Sequence, residues 1–189
     1  MLKIVPTFTP SGASWDHQGK SEISQIFISC SEYRIDFIQF AYVENGKAVL
    51  SERIGMQQGC NNLKTITFDY PSEYITRVSG CYESYYYGYN YLCSITFHTN
   101  KGRYGPYKPS IGGGHPELDW PDESVIFDEL DAIHVKKFDY EVGGEFYGFF
   151  GTQRRDGIEV MGFYMKPLQM DNQSEADATT TIVPYARRR

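Results

Sequence analysis

The chain has 189 residues, 41% hydrophobic and 16% aromatic, enough for one sizeable core, whereas two independent domains would each be small. Its formal net charge is -6, and no basic stripe with interleaved aromatics appears, which argues against nucleic acid as a partner. No apolar run approaches the roughly 20 residues that a membrane-crossing helix needs, and the opening MLKIVPTFTPSG lacks the apolar stretch and cleavage site of a secretory signal.

Met1 to Phe8 reads as a short first strand interrupted by Pro6, an edge-strand device. Thr9 to Gly12 is a turn, followed by Trp15, Asp16 and a polar loop from His17 to Glu22. Ile23 to Cys30 and Arg34 to Val43 are strands, and Asn45-Gly46 is a hairpin signal returning into Lys47 to Glu52. Gly55 to Asn62 is a loop and Leu63 to Phe68 another strand. Tyr74 to Cys81 and Tyr91 to Thr99 flank a tyrosine-crowded loop, Tyr82 to Asn90. Asn100-Lys101-Gly102 is a turn, and Gly105-Pro106 closes that segment. Lys108 to Gly144, rich in Gly, Pro and acid, reads as an excursion from the core, within which Val125 to Phe138 fits a short helix or two strands. Phe146 to Gly151 and Ile158 to Met165 form a last strand pair, and the polar tail from Gln169 is expected to be disordered.

The absence of helical periodicity in the first hundred residues, with strands at short intervals, predicts an all-β sandwich, barrel or prism. One pattern occurs three times: IDFIQFAY from Ile35, LCSITFHT from Leu92 and IEVMGFYM from Ile158. Each copy follows another strand, and the copies lie roughly sixty residues apart. That spacing points to a pseudo-threefold β structure, unless the three are amphipathic strands that merely look alike.

Chemistry-bearing residues are sparse. His17, His98, His115 and His134 stand singly, in no catalytic motif, and are expected to be surface or structural; no enzymatic activity is predicted. The acidic residues of the excursion lack calcium-loop spacing, and Gly112-Gly113-Gly114 lacks the Lys-Ser/Thr of a phosphate-binding loop. Cys30, Cys60, Cys81 and Cys93 fall at no metal spacing; the expectation is four reduced thiols, with a Cys81–Cys93 disulfide as the alternative. The tyrosine loop is the main compositional sign of binding, because a tyrosine offers a flat apolar face with a polar edge. Alternate tyrosines packing within the hairpin would explain the same composition.

Several short stretches, in order, resemble the jacalin-related lectins: Trp15-Asp16 after a Gly-bearing turn, ISQIFIS, RIDFIQFAYV, EYITRVSG, SITFHTN, YGPY, FYGFFG and IEVMGFYM. The resemblance implies a β-prism of three four-stranded antiparallel sheets spanning residues 1–168, with an insertion at about 108–144 and residues 169–189 as a tail. It implies glycan partners of the mannose/glucose or galactose type, bound without metal or cofactor. An uncleaved chain without a signal is similar to the cytoplasmic and nuclear, mannose-type branch. In that family one side of the sugar site is a Gly-Gly turn, here Ser11-Gly12-Ala13-Ser14-Trp15 with Gly12 retained. The other is a G-x-x-x-D loop, here Arg154-Arg155-Asp156-Gly157-Ile158 with Glu159 at the Asp position and arginine in place of the Gly. The implied carbohydrate site is therefore Gly12, Arg154, Arg155, Asp156, Ile158 and Glu159, with Tyr85, Tyr86 and Tyr87 as accessory contacts. Either the altered loop binds sugar through Asp156 or Glu159, or the site has decayed and the protein acts through protein contacts in defence or stress response. Homo-oligomerisation is left open.

Overall fold

The computed structural model describes residues 1–5, 11–31, 34–60, 62–84, 89–109 and 134–167. These form thirteen strands: β1 (Leu2–Ile4), β2 (Ala13–Asp16), β3 (Ile23–Cys30), β4 (Ile35–Glu44), β5 (Lys47–Leu50), β6 (Ile54–Gly55), β7 (Asn62–Thr67), β8 (Ile75–Ser84), β9 (Asn90–Thr99), β10 (Arg103–Tyr107), β11 (His134–Glu141), β12 (Gly144–Arg154) and β13 (Gly157–Pro167).

The three repeated hairpins, β3–β4, β8–β9 and β12–β13, are the centres of three antiparallel sheets ordered β7-β3-β4-β5, β11-β8-β9-β10 and β2-β12-β13-β1. The short β6 adds a fifth strand to the first of these through β4. The sheets are equivalent: the second strand of each hairpin is flanked outside by β5, β10 or β1. The first two arrive by tight turns, whereas β1 comes from the beginning of the chain. This is a β-prism with pseudo-threefold symmetry, as the repeat implies.

The repeat positions explain the closure. Ile35, Leu92 and Ile158 are all buried, as are Ile38, Ile95 and Met161, and Phe40, Phe97 and Phe163. Each strand thus turns the same apolar set towards the axis, where the sheets can exclude water only by packing on one another. Phe149 of β12 stacks on Phe40 at 4.9 Å between ring centroids and meets Phe97 edge-on at 6.1 Å, touching the other two sheets with one ring. Tyr82 ties β8 to β13: its hydroxyl donates to Met161 O at 3.0 Å and accepts from Met161 N at 3.1 Å. Asn45 and Gly46 both take positive φ, 51° and 73°, giving the right-twisting turn that Asn-Gly predicts between β4 and β5.

Several expectations need correcting. Residues 134–141 are not part of an excursion but the edge strand β11, paired along its length with β8 and burying Phe138. Its sequence, HVKKFDYE, shows little alternation because an edge strand with one anchoring residue needs little. The rest of the expected insertion, residues 110–133 with Gly112 to Gly114, His115 and the acidic run from Glu117 to Asp131, lies outside the described residues, as does the tail 168–189. Arg103–Tyr107 is a strand rather than a closing turn; β10 is an edge, and its ladder shifts register around Gly105-Pro106. Cys81 and Cys93 form a disulfide, with Cα atoms 5.6 Å apart. Cys81 pairs with Ser94 and Tyr82 with Leu92, so Cys93 is the extra residue of a bulge, brought beside Cys81. Cys30 is a buried free thiol and Cys60 an exposed one.

Candidate functional site

Described residues at the ends of the three central hairpins meet at one end of the prism. Arg34 stands at the entry to β4, Tyr89 and Tyr91 at the entry to β9, and Arg154 to Gly157 form the β12–β13 turn. The residues just before each repeat are Arg34, Tyr91 and Gly157, and the threefold symmetry carries all three to the axis. The Arg34 guanidinium lies 5.1 Å from the Tyr91 ring centroid. A Cβ built on Gly157 would come within 3.2 Å of the Tyr91 ring and 3.6 Å of Arg34 Cδ, so no side chain stands between them.

Asp156 sits over this junction. Arg34 Nη1 donates to its Oδ2 at 2.6 Å, and the Tyr91 hydroxyl donates to both carboxylate oxygens at 3.1 and 3.2 Å. Its side chain nevertheless keeps 49% of its surface exposed. Partial burial would raise its carboxyl, but the hydrogen bonds and charge of Arg34, then Tyr91, outweigh it and hold it below the usual range. Burial, then the Asp156 charge, pushes the Tyr91 phenol upward. Asp156 is thus an ionised acceptor fixed in direction and open to solvent.

Glu159 is the opposite case. Its side chain is completely buried. Ser11 N donates to its two oxygens at 3.1 and 3.2 Å, Gly12 N at 2.7 Å, and the Ser11 hydroxyl at 2.9 Å. Burial alone would raise this carboxyl, but the backbone N–H groups of Gly12 and Ser11 bring the net shift below its ordinary value. The backbone donors that the resemblance assigns to a sugar therefore end on the chain's own carboxylate. Gly12 has to be glycine, because a Cβ there would lie 2.4 Å from Gln153 O and 2.8 Å from Glu159 Oε2.

Arg154 covers this lock. Its Nη1 donates to Ser11 Oγ at 2.7 Å and lies 3.7 Å from Glu159 Oε1, while its guanidinium is 4.0 Å from the centroid of the exposed Tyr89 ring. Arg155 is exposed at the tip of the turn. Ile158 is in the hydrophobic core, so its side chain is directed away from this surface. Tyr85, Tyr86 and Tyr87 lie outside the described residues, and Tyr82, a member of the predicted binding loop, is a core residue. His17 is buried, with Nδ1 2.9 Å from the Tyr42 hydroxyl and Nε2 3.1 Å from Glu52 Oε1, which bridges β2 to the β4–β5 region. Among the described residues no group of three or more His, Cys, Asp or Glu side chains could hold a metal ion.

The family model for the jacalin-like lectin domain matches residues 5–164. The chain belongs to that family. The Arabidopsis thaliana protein RESTRICTED TEV MOVEMENT 1 is 35% identical over 159 residues, covering 82% of this chain and 78% of that protein. Among solved structures, a mannose-specific jacalin-related lectin from Morus nigra in complex with mannose is similar with a TM-score of 0.59 and 24% identity, over 82% of this chain and 86% of that one. Frutalin from Artocarpus incisa in complex with galactose has a TM-score of 0.60 and 24% identity, over 82% of this chain and 99% of that one. At such identity the likeness is one of fold, and a mannose complex and a galactose complex fit it equally well.

Arg34 was absent from the residues expected at the site, and Ser11 was expected only as part of the amino-terminal turn. Arg34 had a signal available, since it precedes the first repeat copy as Tyr91 and Gly157 precede the others. The bond of Ser11 to Glu159 had none, because its acceptor is a carboxylate 148 positions away.

Proposed function

We propose that this jacalin-like lectin domain binds mannose/glucose-type glycans without a metal, at the end of the prism where Arg34, Tyr91 and the β12–β13 turn meet, with Asp156 rather than Glu159 as the principal acceptor. The observation that carries the proposal is the half-exposed Asp156 carboxylate, held in place by Arg34 and Tyr91 beside the Arg154–Tyr89 stack. A carboxylate has about four acceptor positions; Arg34 and the single Tyr91 proton, shared between the two oxygens, fill part of them, and the exposed part of the group is left to accept from a sugar. A millimolar site needs about 4 kcal/mol, and hydrogen bonds to a charged acceptor contribute roughly 1.5–3 kcal/mol each. Two bonds to Asp156 with one ring contact to Tyr89 are enough. Glu159, with no exposed surface, serves to shape the site by fixing the Ser11–Gly12 loop.

A second reading has its own support. The occupied Glu159 carboxylate closes the position where the family resemblance puts the sugar, which favours a lectin fold acting through protein contacts in defence or stress response. The similarity to a protein named for restricted TEV movement points the same way. On either reading we propose action in the cytoplasm or nucleus.

The test is a glycan array with monosaccharide competition, run on the wild type, Asp156→Ala and Glu159→Gln. Mannose-type signal lost in Asp156→Ala and kept by folded Glu159→Gln supports the proposal. Silence from folded wild type across the array rejects glycan binding and leaves the protein-contact reading.

A further inference from the structure

Among the described residues, the outer face of the β7-β3-β4-β5 sheet carries no charged side chain within its borders. Ile26, Ile28, Ile38 and Phe40 belong to the core, so the residues that alternate with them face outward. Cross-strand pairing sets Thr67, Gln25, Ala41 and Leu50 in one outward row. Thr65, Phe27 and Gln39 form the next row, and Leu63, Ser29 and Phe37 a third. Leu50 is 61% exposed and Leu63 47%, with the half-buried Phe27 between them. Arg53 borders this surface, its guanidinium 4.3 Å from the centroid of the Phe37 ring. The other two outer faces are charged: Arg77 pairs with Asp139 on one, and Lys166 with Glu145 on the other. A sheet face left in water ordinarily turns polar side chains outward, and Leu50, Leu63 and Phe27 depart from that rule together.

We infer that this face is the contact surface of a homodimer, in which two copies of the chain pack sheet on sheet through β7, β3, β4 and β5. A chain of formal charge -6 repels its own copy, and a face without charge is where two copies approach at least electrostatic cost. The polar groups on it are also complementary to themselves. Gln39 Nε2 donates to Ser51 O at 2.6 Å and Gln25 Nε2 to Thr67 Oγ1 at 3.2 Å. Both amide oxygens are thus left to accept, and the Thr65 and Thr67 hydroxyls to donate, so a second copy supplies each kind of partner. Four strands about 4.8 Å apart, with β3 eight residues long, make a face of roughly 500 Å² on each copy. A total of roughly 1,000 Å² is at the low end for specific interfaces, which makes the dimer weak and reversible. The face runs along the side of the prism, whereas Asp156 lies at its end. Dimerisation therefore leaves that end open and forms whether or not a sugar binds, while giving each assembly two copies of the site.

The experiment is sedimentation velocity of the full chain between 10 µM and 1 mM, at 50 and 200 mM NaCl, on the wild type, Leu50→Glu, Thr65→Glu and Leu2→Glu. Leu2, 48% exposed on β1 of another sheet, is the control, and thermal melts confirm that each variant is folded. The wild type and Leu2→Glu are expected to move from the monomer mass towards twice that mass as concentration rises. Leu50→Glu and Thr65→Glu bring like charges face to face and should weaken association at least tenfold. Association of the wild type should be stronger at 200 mM than at 50 mM, because salt screens the repulsion between two copies and finds no ion pair to weaken. A wild type that stays monomeric at 1 mM, or association that both face variants leave unchanged, overturns the dimer face. Association lost equally in Leu2→Glu, or weakened by salt, overturns it as well. Glycan binding is read separately on the array, so a monomeric wild type leaves the Asp156 site standing.

Discussion

Substituting Glu159 by glutamine tests whether this residue is a structural lock or a sugar ligand. Three donors converge on the carboxylate: Ser11 N, Gly12 N at 2.7 Å and the Ser11 hydroxyl at 2.9 Å. A glutamine amide keeps one oxygen and turns an NH2 group towards at least one of these donors. The loss is one charge-assisted hydrogen bond, about 1.5–3 kcal/mol, together with a buried donor facing another donor, about 1–3 kcal/mol. A total of about 2.5–6 kcal/mol is expected, and for a domain of this size it corresponds to a fall in Tm of at least about 5 °C. Thermal melts followed by circular dichroism measure the global effect, and amide exchange at Ser11 and Gly12 measures release of the loop. Glu159→Gln with an unchanged Tm and unchanged protection at both amides would refute the lock.

Three further outcomes follow from the same geometry. Acidification should destabilise the wild type: Glu159 and Asp156 are held below their ordinary values of 4.5 and 3.8, so their contributions are present above those values and lost as pH falls through the lower folded ones. The stability gap between wild type and Glu159→Gln in urea titrations should therefore narrow below about pH 4.5 and stay constant from pH 5 to 7. Gly12→Ala places a methyl group 2.4 Å from a backbone carbonyl and should cost about 1–3 kcal/mol by urea unfolding, with glycan affinity falling as the loop shifts. Phe149→Ala removes the ring that touches Phe40 and Phe97 and should cost about 3–5 kcal/mol without changing the fold, seen as a lower urea midpoint at unchanged slope.

The prism was legible in the sequence because its symmetry is written there three times. Ile35, Leu92 and Ile158, with Phe40, Phe97 and Phe163, mark equivalent core positions, and the strands before them complete the hairpins. The edges were harder. In β2 only Trp15 is buried, in β11 chiefly Phe138, and β10 contains Pro106, so none shows the alternation of a half-buried strand. Such strands are specified by the neighbours they pair with, and their own composition is weak evidence for them. The disulfide was read as the less favoured alternative because the bulge that brings Cys93 beside Cys81 is a matter of register and not of spacing. At the candidate site, the resemblance pointed to the β12–β13 turn but did not distinguish two acids three positions apart. Asp156 lies at the hairpin tip and faces solvent, whereas Glu159 is the bulge residue between Ile158 and Val160 and reaches the amino-terminal loop. Only the register of β12 against β13, with its shift between Thr152 and Gln153, separates their roles.

The most direct measurement is a heteronuclear NMR titration of the 15N-labelled protein with methyl α-mannoside. Binding at Asp156 predicts shifts confined to the amides of residues 11–12, 34, 89–91 and 154–157, saturating in the millimolar range and absent in Asp156→Ala. A spectrum unmoved up to saturating sugar, or shifts elsewhere on the prism that persist in Asp156→Ala, would contradict the proposed site.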